Sequence, residues 1–559
     1  MSTKDLPSAL DGRTQEFPVL TPAQIDRIRP AGRVRKVERG EIVFEPGDTN
    51  IPFFVLLSGG LDIVQPGLDG ERPLVTHGPG QFTGEMTMIS GQRCLVRGRV
   101  TDPGEFIELR PDVLRSVIAK DAELSEIFMR AFILRRLELI KNGYGNVVLM
   151  GSRHSAQTLE LRQFLGRNGH PYTYVDLDTD RTSQELLDRF DVKPSEVPVV
   201  ICSTGNVFRN PSIQGLANCL GLNSNIDGAD VHDLVIIGAG PAGLAAAVYA
   251  ASEGLQVLMV EANAPGGQAG SSSRIENYLG FPTGVSGQEL AGRAITQAQK
   301  FGAQMMIARA AVRLNCGKHP YEVVIDGGSP LPTRSIVIAS GAQYNKLRLA
   351  DVERFEGNGT YYGATYIESQ FCEADDVAVV GGGNSAGQAA TFLSQVARKV
   401  HLLVRSGELK STMSRYLIER LTQNPKIELH FNTEITSLGG GERLESVAWK
   451  DKLSGEISTH AIQHLFIMAG ASPRTEWLRG CLALDDNGFI LTGRDLDTLD
   501  VLNGEPRWLQ DRPPQMLETS LPGVFAVGDV RAGNVKRVAS AVGEGAIAVH
   551  MVHRALAQL

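Results

Sequence analysis

Residues 233–261 read DLVIIGAGPAGLAAAVYAASEGLQVLMVE, an apolar run, a glycine turn, a helical stretch and a second apolar run. In this order, Gly238 permits a tight turn after a strand, Gly240 lets backbone approach a pyrophosphate, and Gly243 lets the helix pack on the strand. Glu261 closes the next strand, near the spacing of about 20 residues expected for an acid that binds a ribose hydroxyl. The stretch therefore predicts a dinucleotide-binding α/β domain.

A second copy of the pattern, VAVVGGGNSAGQAATFL, places Gly381, Gly383 and Ala386 in the three small-residue positions. Two such turns in one chain predict two nucleotide cofactors. The strand after the second turn ends in Arg405 rather than an acid, and Lys410 follows. Cations at this place suit a ribose that carries a 2′-phosphate, so NADPH is favoured over NADH.

The composition is that of an ordinary globular protein with several domains. Of its 559 residues, 42% are apolar and 21% charged, and a net charge of −8 gives no general attraction to polyanions. We therefore expect no nucleic-acid partner. The N-terminus lacks a basic stretch followed by an apolar run, and the apolar run 234–251 is broken by glycines and a proline. These features predict a cytoplasmic protein that does not enter the membrane.

The six cysteines are scattered, with no CxxC pair and no closely spaced metal ligands. This distribution favours reduced, mostly buried thiols and predicts no metal site. The cysteines are Cys94, Cys202, Cys219, Cys316, Cys372 and Cys481.

Two smaller segments precede the glycine-turn region. Residues 20–140 alternate short apolar strands with glycines and end in a helical stretch, which predicts a jelly-roll barrel with a helical tail. Residues 146–220 change to a strand–helix–strand rhythm and predict a compact α/β unit. We expect a multidomain fold with a β barrel, a small α/β unit and two Rossmann-like domains.

From Asp233 to Leu559 the sequence resembles the thioredoxin-disulfide reductases. Besides both glycine turns, it carries the motifs PGGQ, IENYLGFP, IASGA and GVFAVGDV in the order of that family. The resemblance implies FAD as the prosthetic group and NADPH as the reductant. It implies that Gly267, Gln268 and Asn277 line the flavin, and that Asp529 hydrogen-bonds the ribityl chain. The other FAD positions that it implies are Gly238, Gly240, Pro241, Ala242, Gly243, Glu261, Gly266, Ser340, Gly341, Gly528, Arg537, Val538 and Ala539. The NADPH positions are Gly381, Gly383, Asn384, Ser385, Ala386, Arg405 and Lys410.

The same resemblance implies a domain plan. An FAD domain in two segments, 231–343 and 471–559, surrounds an NADPH domain at 344–470. Residues 1–145 and 146–222 precede this region, and we expect them to form two further domains, the β barrel and the small α/β unit. Hydride passes from NADPH to the flavin, a rotation between the cofactor domains alternates access to it, and two chains form a homodimer.

The resemblance breaks at the redox dithiol. Family members carry a CxxC before the second glycine turn, whereas this chain has Gly363 to Tyr366 in that place. Without two thiols the flavin cannot pass electrons by thiol–disulfide exchange, because only a thiolate attacks a disulfide. We interpret Cys372, the nearest sulfur, as structural rather than as a lone redox thiol. Val538 follows Arg537 where the family usually has Gln, and the catalytic residues stay unassigned.

The barrel segment, 20–140, resembles the cyclic nucleotide-binding domain. Its phosphate cassette corresponds to Gly84, Glu85 and Arg93. Glu85 would accept a hydrogen bond from the ribose hydroxyl, and Arg93 would pair with the cyclic phosphate. However, Cys94 stands where an ungapped alignment puts the arginine. The barrel therefore either binds a cyclic nucleotide or serves packing and partner contact.

The middle segment resembles a thioredoxin or glutaredoxin fold, with Val197–Pro198 at the position of that fold's cis-proline. Its active-site turn, residues 152–155, reads SRHS and carries no sulfur. A serine hydroxyl does not ionise near neutrality and cannot form a disulfide. We interpret this segment as a redox-inert adaptor.

Three functional hypotheses follow. The leading one is an FAD-dependent NADPH oxidoreductase that passes electrons to an unidentified acceptor. Oxygen, a quinone, an iron–sulfur protein and an external disulfide all remain open as that acceptor. The second is a thioredoxin-disulfide reductase that uses the dithiol of a partner protein. The third is a sensor or scaffold, in which the flavin reports redox state and the barrel reports a nucleotide.

Overall fold

The computed structural model describes most of the chain, which divides into two compact units. The first unit comprises residues 1–152, 168–226 and 296–307, and the second comprises 153–167, 227–295 and 308–559. The described residues are 16–48, 51–67, 70–84, 94, 96–141, 147–179, 193, 196–202, 206–223, 230–349, 351–496, 508, 510 and 512–558.

The glycine-spaced strands at the N-terminus form the predicted barrel. The strands are β1 (Arg33–Val37), β2 (Ile42–Phe44), β3 (Phe53–Leu56), β4 (Gly60–Gly67), β5 (Gly70–His77), β6 (Phe82–Thr83), β7 (Arg97–Asp102) and β8 (Gly104–Leu109), with helices α1 (Pro22–Ile28), α2 (Pro111–Lys120) and α3 (Ala122–Lys141). They make two four-stranded antiparallel sheets, β1-β8-β3-β6 and β2-β7-β4-β5. The rings of Phe53, Phe82 and Phe128 are fully buried and lie 4.9–5.4 Å apart, so α3 closes the core of the first sheet.

The next segment contributes a small mixed sheet. Its strands are β9 (Val148–Gly151), β10 (Thr173–Asp176), β11 (Val199–Ile201) and β12 (Val207–Arg209), and a helix runs over Ile213–Cys219. The strand order is β10-β9-β11-β12, with β9 and β10 parallel and β11 antiparallel to both of its neighbours. The Val197–Pro198 peptide is cis, as predicted. In the SRHS turn, Ser152 Oγ donates a hydrogen bond to Asp178 at 2.8 Å.

The rest of the chain builds two nucleotide-binding halves. Its strands are β13 (His232–Ile237), β14 (Val257–Glu261), β15 (Gln304–Ile307), β16 (Ala311–Asn315), β17 (Tyr321–Ile325), β18 (Leu331–Ile338), β19 (Ala342–Tyr344), β20 (Thr360–Tyr361), β21 (Asp376–Val380), β22 (Lys399–Leu403), β23 (Ile427–His430), β24 (Thr433–Gly439), β25 (Ser446–Asp451), β26 (Ile457–His460), β27 (His464–Ile467), β28 (Ala471–Pro473) and β29 (Val524–Ala526). Two helices precede these strands in the chain, α4 (Ala156–Arg167) and α5 (Ile213–Cys219). The helices from β13 onward are α6 (Pro241–Ser252), α7 (Gly267–Gly270), α8 (Gly287–Lys300), α9 (Tyr366–Ser369), α10 (Asn384–Leu393), α11 (Arg415–Gln423) and α12 (Val538–Leu556).

The first half is an α/β layer around parallel strands. Strands β14, β13, β18 and β29 run parallel, and β17 and β16 continue the sheet antiparallel. β13 is almost completely buried, which fits its continuous apolar sequence. Helices α6 and α12 pack closely on each other, although they lie at opposite ends of this region of the sequence.

The second half repeats this plan with one parallel sheet, β20-β27-β21-β22-β23, and a three-stranded antiparallel sheet, β24-β25-β26. The short antiparallel pair β19–β28 forms where the chain leaves the first half and returns to it. Both Rossmann-like sheets that the glycine turns predicted are therefore present. Of the described helices, none combines the length and the apolarity needed to cross a bilayer.

The expectation of six reduced thiols is wrong for four of the cysteines. Cys202 and Cys219 form a disulfide with their Cα atoms 6.7 Å apart, and Cys316 and Cys481 form another with their Cα atoms 6.0 Å apart. Sequence spacing did not predict these pairs, because the partners lie 17 and 165 residues apart and only the folded chain brings them together. The two remaining cysteines, Cys94 and Cys372, are buried.

Candidate functional site: two dinucleotide turns and a replaced dithiol

The first glycine turn joins β13 to α6 and leaves no room for side chains. Gly238 has φ +102°, and a Cβ there would lie 2.4 Å from the carbonyl oxygen of Ala339. A Cβ on Gly243 would lie 1.9 Å from the carbonyl oxygen of Gly238. Gly240 is the N-cap of α6 and supplies no side-chain hydrogen bond to the first turn. The N–H groups and the dipole of this helix end therefore favour an anion.

The predicted acid and the PGGQ motif pack against this turn. Glu261 accepts a hydrogen bond from the backbone N–H of Ala239 at 2.8 Å. The N–H of Gly266 donates to the carbonyl oxygen of Ala239 at 2.7 Å. A Cβ on Gly267 would lie 2.9 Å from the Cα of Gly240, so only glycine lets these two loops approach each other. The structure thus brings the predicted ribose acid and both motifs to one edge of the sheet.

Gln268 and Asn277 have different surroundings. The side-chain amide of Gln268 donates to the carbonyl oxygen of Ala342, directly after Gly341, so α7 contacts the first crossover between the halves. Asn277 lies on an exposed loop. Of these two predicted flavin contacts, Gln268 therefore already hydrogen-bonds a backbone carbonyl, and Asn277 is exposed to solvent.

The GVFAVGDV motif reaches the same edge from the C-terminal segment. A Cβ on Gly528 would lie 3.0 Å from the Cβ of Ala242 at the start of α6. Burial raises the pKa of Asp529, so an unpaired carboxylate is costly at this position. The Oγ of Ser340 is buried and has no hydrogen-bond partner among the described residues. The hydroxyl groups of a ribityl chain would supply partners for both side chains, so the residues present fit FAD.

The predicted ring-binding turn is the N-terminus of α12. This helix runs for 19 residues from Val538, and its N-cap Arg537 makes no side-chain capping bond. Val538 and Ala539 therefore lie in a first helical turn whose N–H groups have no side-chain cap. Because Val538 replaces a Gln usual in the family, backbone rather than an amide side chain would meet the flavin here.

The second glycine turn joins β21 to α10. Gly381 has φ +145°, and a Cβ there would lie 2.6 Å from the carbonyl oxygen of Met468. Ala386, the third small residue, is fully buried against the turn. Gly383 is the N-cap of α10 and has no atom near a built Cβ, so its side facing the helix end is open for a phosphate. Asn384 and Ser385, the first two residues of α10, follow it.

Polar contacts hold the residues after this turn. The Oδ1 of Asn384 accepts a hydrogen bond from the N–H of Ser414 at 2.8 Å. Ser385 hydrogen-bonds the hydroxyl of Tyr344 on β19, whose pKa burial raises. Arg405 and Lys410 are both exposed in the loop that follows β22. Two exposed cations after this strand suit the 2′-phosphate of NADPH.

The place of the family dithiol holds a capping box instead of sulfur. Thr365 caps the short helix α9, and Glu368 accepts hydrogen bonds from both the N–H and the hydroxyl of Thr365. Cys372 is fully buried, and its Sγ donates to the carbonyl oxygen of Glu368 at 3.2 Å. Burial raises the pKa of Cys372 strongly, so this sulfur stays a thiol at neutral pH. Tyr366 is 73% exposed.

Helix α4 packs beside this place, which the sequence did not predict. Leu159 of α4 belongs to the buried core of the second half. The side chain of Gln163 donates to Glu368, and Arg167 Nη2 donates to the carbonyl oxygen of Gly267 at 3.1 Å. A helix from the thioredoxin-like segment therefore contacts both the replaced dithiol and the PGGQ loop. The apolar periodicity of α4 indicated a buried face, but no signal in the sequence identified the surface that it covers.

The predicted cyclic-nucleotide residues are only partly described. Gly84 has φ +96°, and a Cβ there would lie 2.3 Å from the carbonyl oxygen of Pro52. Glu85 and Arg93 lie outside the described residues. Cys94 is buried and donates its thiol to the carbonyl oxygen of Val96. Cys94 therefore has a structural contact within the barrel.

Two dinucleotide turns on parallel sheets, each with its phosphate end open, define a flavoprotein that works with a pyridine nucleotide. The family model "Pyridine nucleotide-disulphide oxidoreductase" matches residues 232–545, and the chain belongs to this family. The model "Cyclic nucleotide-binding domain" matches residues 34–121, in agreement with the barrel.

Curated relatives and solved structures agree with this assignment. The chain is 35% identical to the thioredoxin reductase of Mycolicibacterium smegmatis over 329 residues, which are 59% of this chain and 97% of that protein. It is 33% identical over 332 residues to the thioredoxin reductase of Streptomyces clavuligerus, or 59% and 96% of the two chains. Lactococcus lactis thioredoxin reductase in its FR conformation matches with a TM-score of 0.52 at 27% identity, over 59% of this chain and all of that one. The protein is therefore an NADPH-dependent flavoprotein oxidoreductase with FAD and NADPH as its cofactors.

Proposed function

We propose that the protein carries electrons from NADPH through FAD to an acceptor outside the chain, without a dithiol in the place where the family carries one. The replaced dithiol segment, Gly363–Tyr366, carries this proposal, because it contains no sulfur in the place where the family exchanges electrons. The nearest thiol, Cys372, is fully buried and hydrogen-bonded to the backbone. A buried thiol held in its protonated form cannot attack a disulfide.

The residues of the chain hold and orient the two cofactors. When bound there, FAD would supply the chemistry of accepting a hydride from NADPH and of passing two electrons to an acceptor. The glycine turns at Gly238 and Gly381 would hold the two pyrophosphates at helix N-termini. Arg405 and Lys410 would pair with the 2′-phosphate of NADPH, and Asp529 would orient the ribityl chain.

Anaerobic NADPH titration of the purified holoprotein, followed by an acceptor screen, tests the proposal. We expect stoichiometric bleaching of the flavin absorbance and turnover with oxygen, a quinone or an iron–sulfur protein. Thioredoxin-dependent turnover by the chain alone would contradict it, whereas turnover that needs a second dithiol protein would support the partner-dithiol alternative. A flavin that NADPH does not reduce would favour the sensor hypothesis. The Cys372→Ala variant is the matched control, and its turnover should equal that of the parent.

We also propose that the N-terminal barrel regulates this activity and that the protein is a cytoplasmic homodimer. The family match of residues 34–121 supports a nucleotide-responsive barrel, and the resemblance to thioredoxin reductases supports the dimer. Thermal unfolding with added cAMP or cGMP tests whether the barrel binds a nucleotide, since a ligand of the folded barrel raises its unfolding temperature. Sedimentation of the holoprotein tests the second.

A further inference from the structure

Two histidines and a glutamate converge on one face of the second Rossmann-like sheet, away from its glycine turn. His401 lies on β22, and Glu428 and His430 lie on the neighbouring parallel strand β23. His401 is the register partner of Glu428, and the two residues on β23 are spaced by two, so all three side chains project from one face. We call these three residues the His–Glu cluster.

The ligand atoms of the cluster are close enough to share one ion. His401 Nδ1 lies 3.0 Å from His430 Nε2. Glu428 oxygens lie 3.6 Å from His430 Nε2 and 3.9 Å from His401 Nδ1. All three ligand atoms lie within 4.8 Å of one another. Bonds of about 2.0–2.1 Å to a tetrahedral metal put neighbouring ligand atoms about 3.3 Å apart, so the triangle needs only small adjustments.

The surroundings of the cluster favour an ion over three separate surface groups. His401 is 9% exposed, and its ring packs 5.6 Å from that of Trp449 on β25, a buried indole. The ring of His430 lies 5.4 Å from the same indole. The Trp449 ring on one side and the half-buried carboxylate of Glu428 on the other would leave the fourth ligand position to water. Lys399, which forms an ion pair with Glu428, is the cation that an incoming metal would displace.

We propose that His401, Glu428 and His430 bind one divalent transition-metal ion of the Zn²⁺ type, with water as the fourth ligand. Two imidazole nitrogens and a carboxylate oxygen form a ligand set that suits Zn²⁺ rather than Mg²⁺ or Ca²⁺. The ion ties β22 to β23 and stabilises the NADPH half. The sequence predicted no metal site, because His401 is far along the chain from the Glu428–His430 pair and only strand pairing brings them together.

Calorimetric titration of the tag-free holoprotein with Zn²⁺, after dialysis against a chelator, tests the site. We expect one ion per chain. His401→Gln and Glu428→Gln should each weaken binding by about tenfold or more. Lys399→Met should strengthen binding, because it removes the cation that competes for Glu428. His550→Gln, at an exposed histidine outside the cluster, should leave affinity unchanged.

Co²⁺ provides a second readout that a general loss of fold does not imitate. Its visible absorption reports tetrahedral nitrogen and oxygen ligands, and its binding should quench the fluorescence of Trp449. Retained reduction of the flavin by NADPH shows that the NADPH half of each variant is folded. Zn²⁺ affinity that is equal in the parent, His401→Gln and Glu428→Gln would overturn the proposal, as would the absence of stoichiometric binding.

Discussion

Two glycines of the first turn should respond differently to the same substitution. A Cβ on Gly243 would lie 1.9 Å from a backbone oxygen, so Gly243→Ala should lower the free energy of unfolding by about 1–3 kcal/mol or more. Gly240 has only the Cα of Gly267 within reach, at 3.8 Å. Gly240→Ala should therefore keep the fold but retain less FAD, because the methyl group takes space that the pyrophosphate needs.

Thermal unfolding and the flavin content of the purified variants check this pair. Equal unfolding temperatures for the two variants would contradict the packing argument.

Arg405 is expected to select the 2′-phosphate of the nucleotide. Charge-assisted hydrogen bonds are worth about 1.5–3 kcal/mol, so Arg405→Gln should raise the KM for NADPH by about 10–100-fold and leave the KM for NADH unchanged. Steady-state kinetics with both nucleotides measure the difference. Lys410→Gln is the companion variant, and a loss that is the same with NADH and NADPH would argue against phosphate recognition.

His77 should make the barrel sensitive to acid. Burial, aided by nearby Arg135, lowers the pKa of His77 from its usual value of 6.5 to about 3. Between these two values the unfolded chain binds a proton that the folded barrel does not, so stability falls as the pH drops from about 6.5 towards 3. Hydrogen exchange of β3 at several pH values measures the effect. His77→Phe should remove that part of the pH dependence, because phenylalanine does not titrate.

Among the helices, α4 shows how an element of one segment can stabilise another. Arg167, at its end, donates to the carbonyl oxygens of Ala264 and Gly267, each at 3.1 Å. Arg167→Met keeps most of the apolar stem but removes both hydrogen bonds, so the PGGQ loop should open more readily. We expect faster FAD release from this variant.

The rate of flavin release on dilution, followed by fluorescence, measures the role of α4. Glu160→Gln, an exposed change on the same helix, is the control. Unchanged release from Arg167→Met would show that the loop holds its shape without α4.

Across the molecule as a whole, the Cys316–Cys481 pair closes a loop of 165 residues that contains the entire second half. Cross-links over long loops stabilise mainly by restricting the unfolded chain, typically by about 2–4 kcal/mol. Cys316→Ser combined with Cys481→Ser should therefore lower the unfolding temperature of the flavin unit. Reductant should lower it in the parent and leave the double variant unchanged, and mass spectrometry after alkylation counts the free thiols.

The two cofactor turns, the missing dithiol and the order of the folds could all be predicted from the amino-acid sequence. These features depend on short local spacings: three small residues between a strand and a helix, or four residues without sulfur. Gly238, Gly381 and Gly363 could be interpreted without knowing their neighbours in space.

Which distant groups meet could be learned only from the folded chain. Apolar burial drives folding without direction, so the surface covered by Leu159 of α4 and the partner of Cys316 depend on the whole packed chain rather than on a local pattern. The same holds for His401 and Glu428, which strand pairing places in register. Charge and spacing in the sequence identify what these residues can bind, and the fold decides which of them act together.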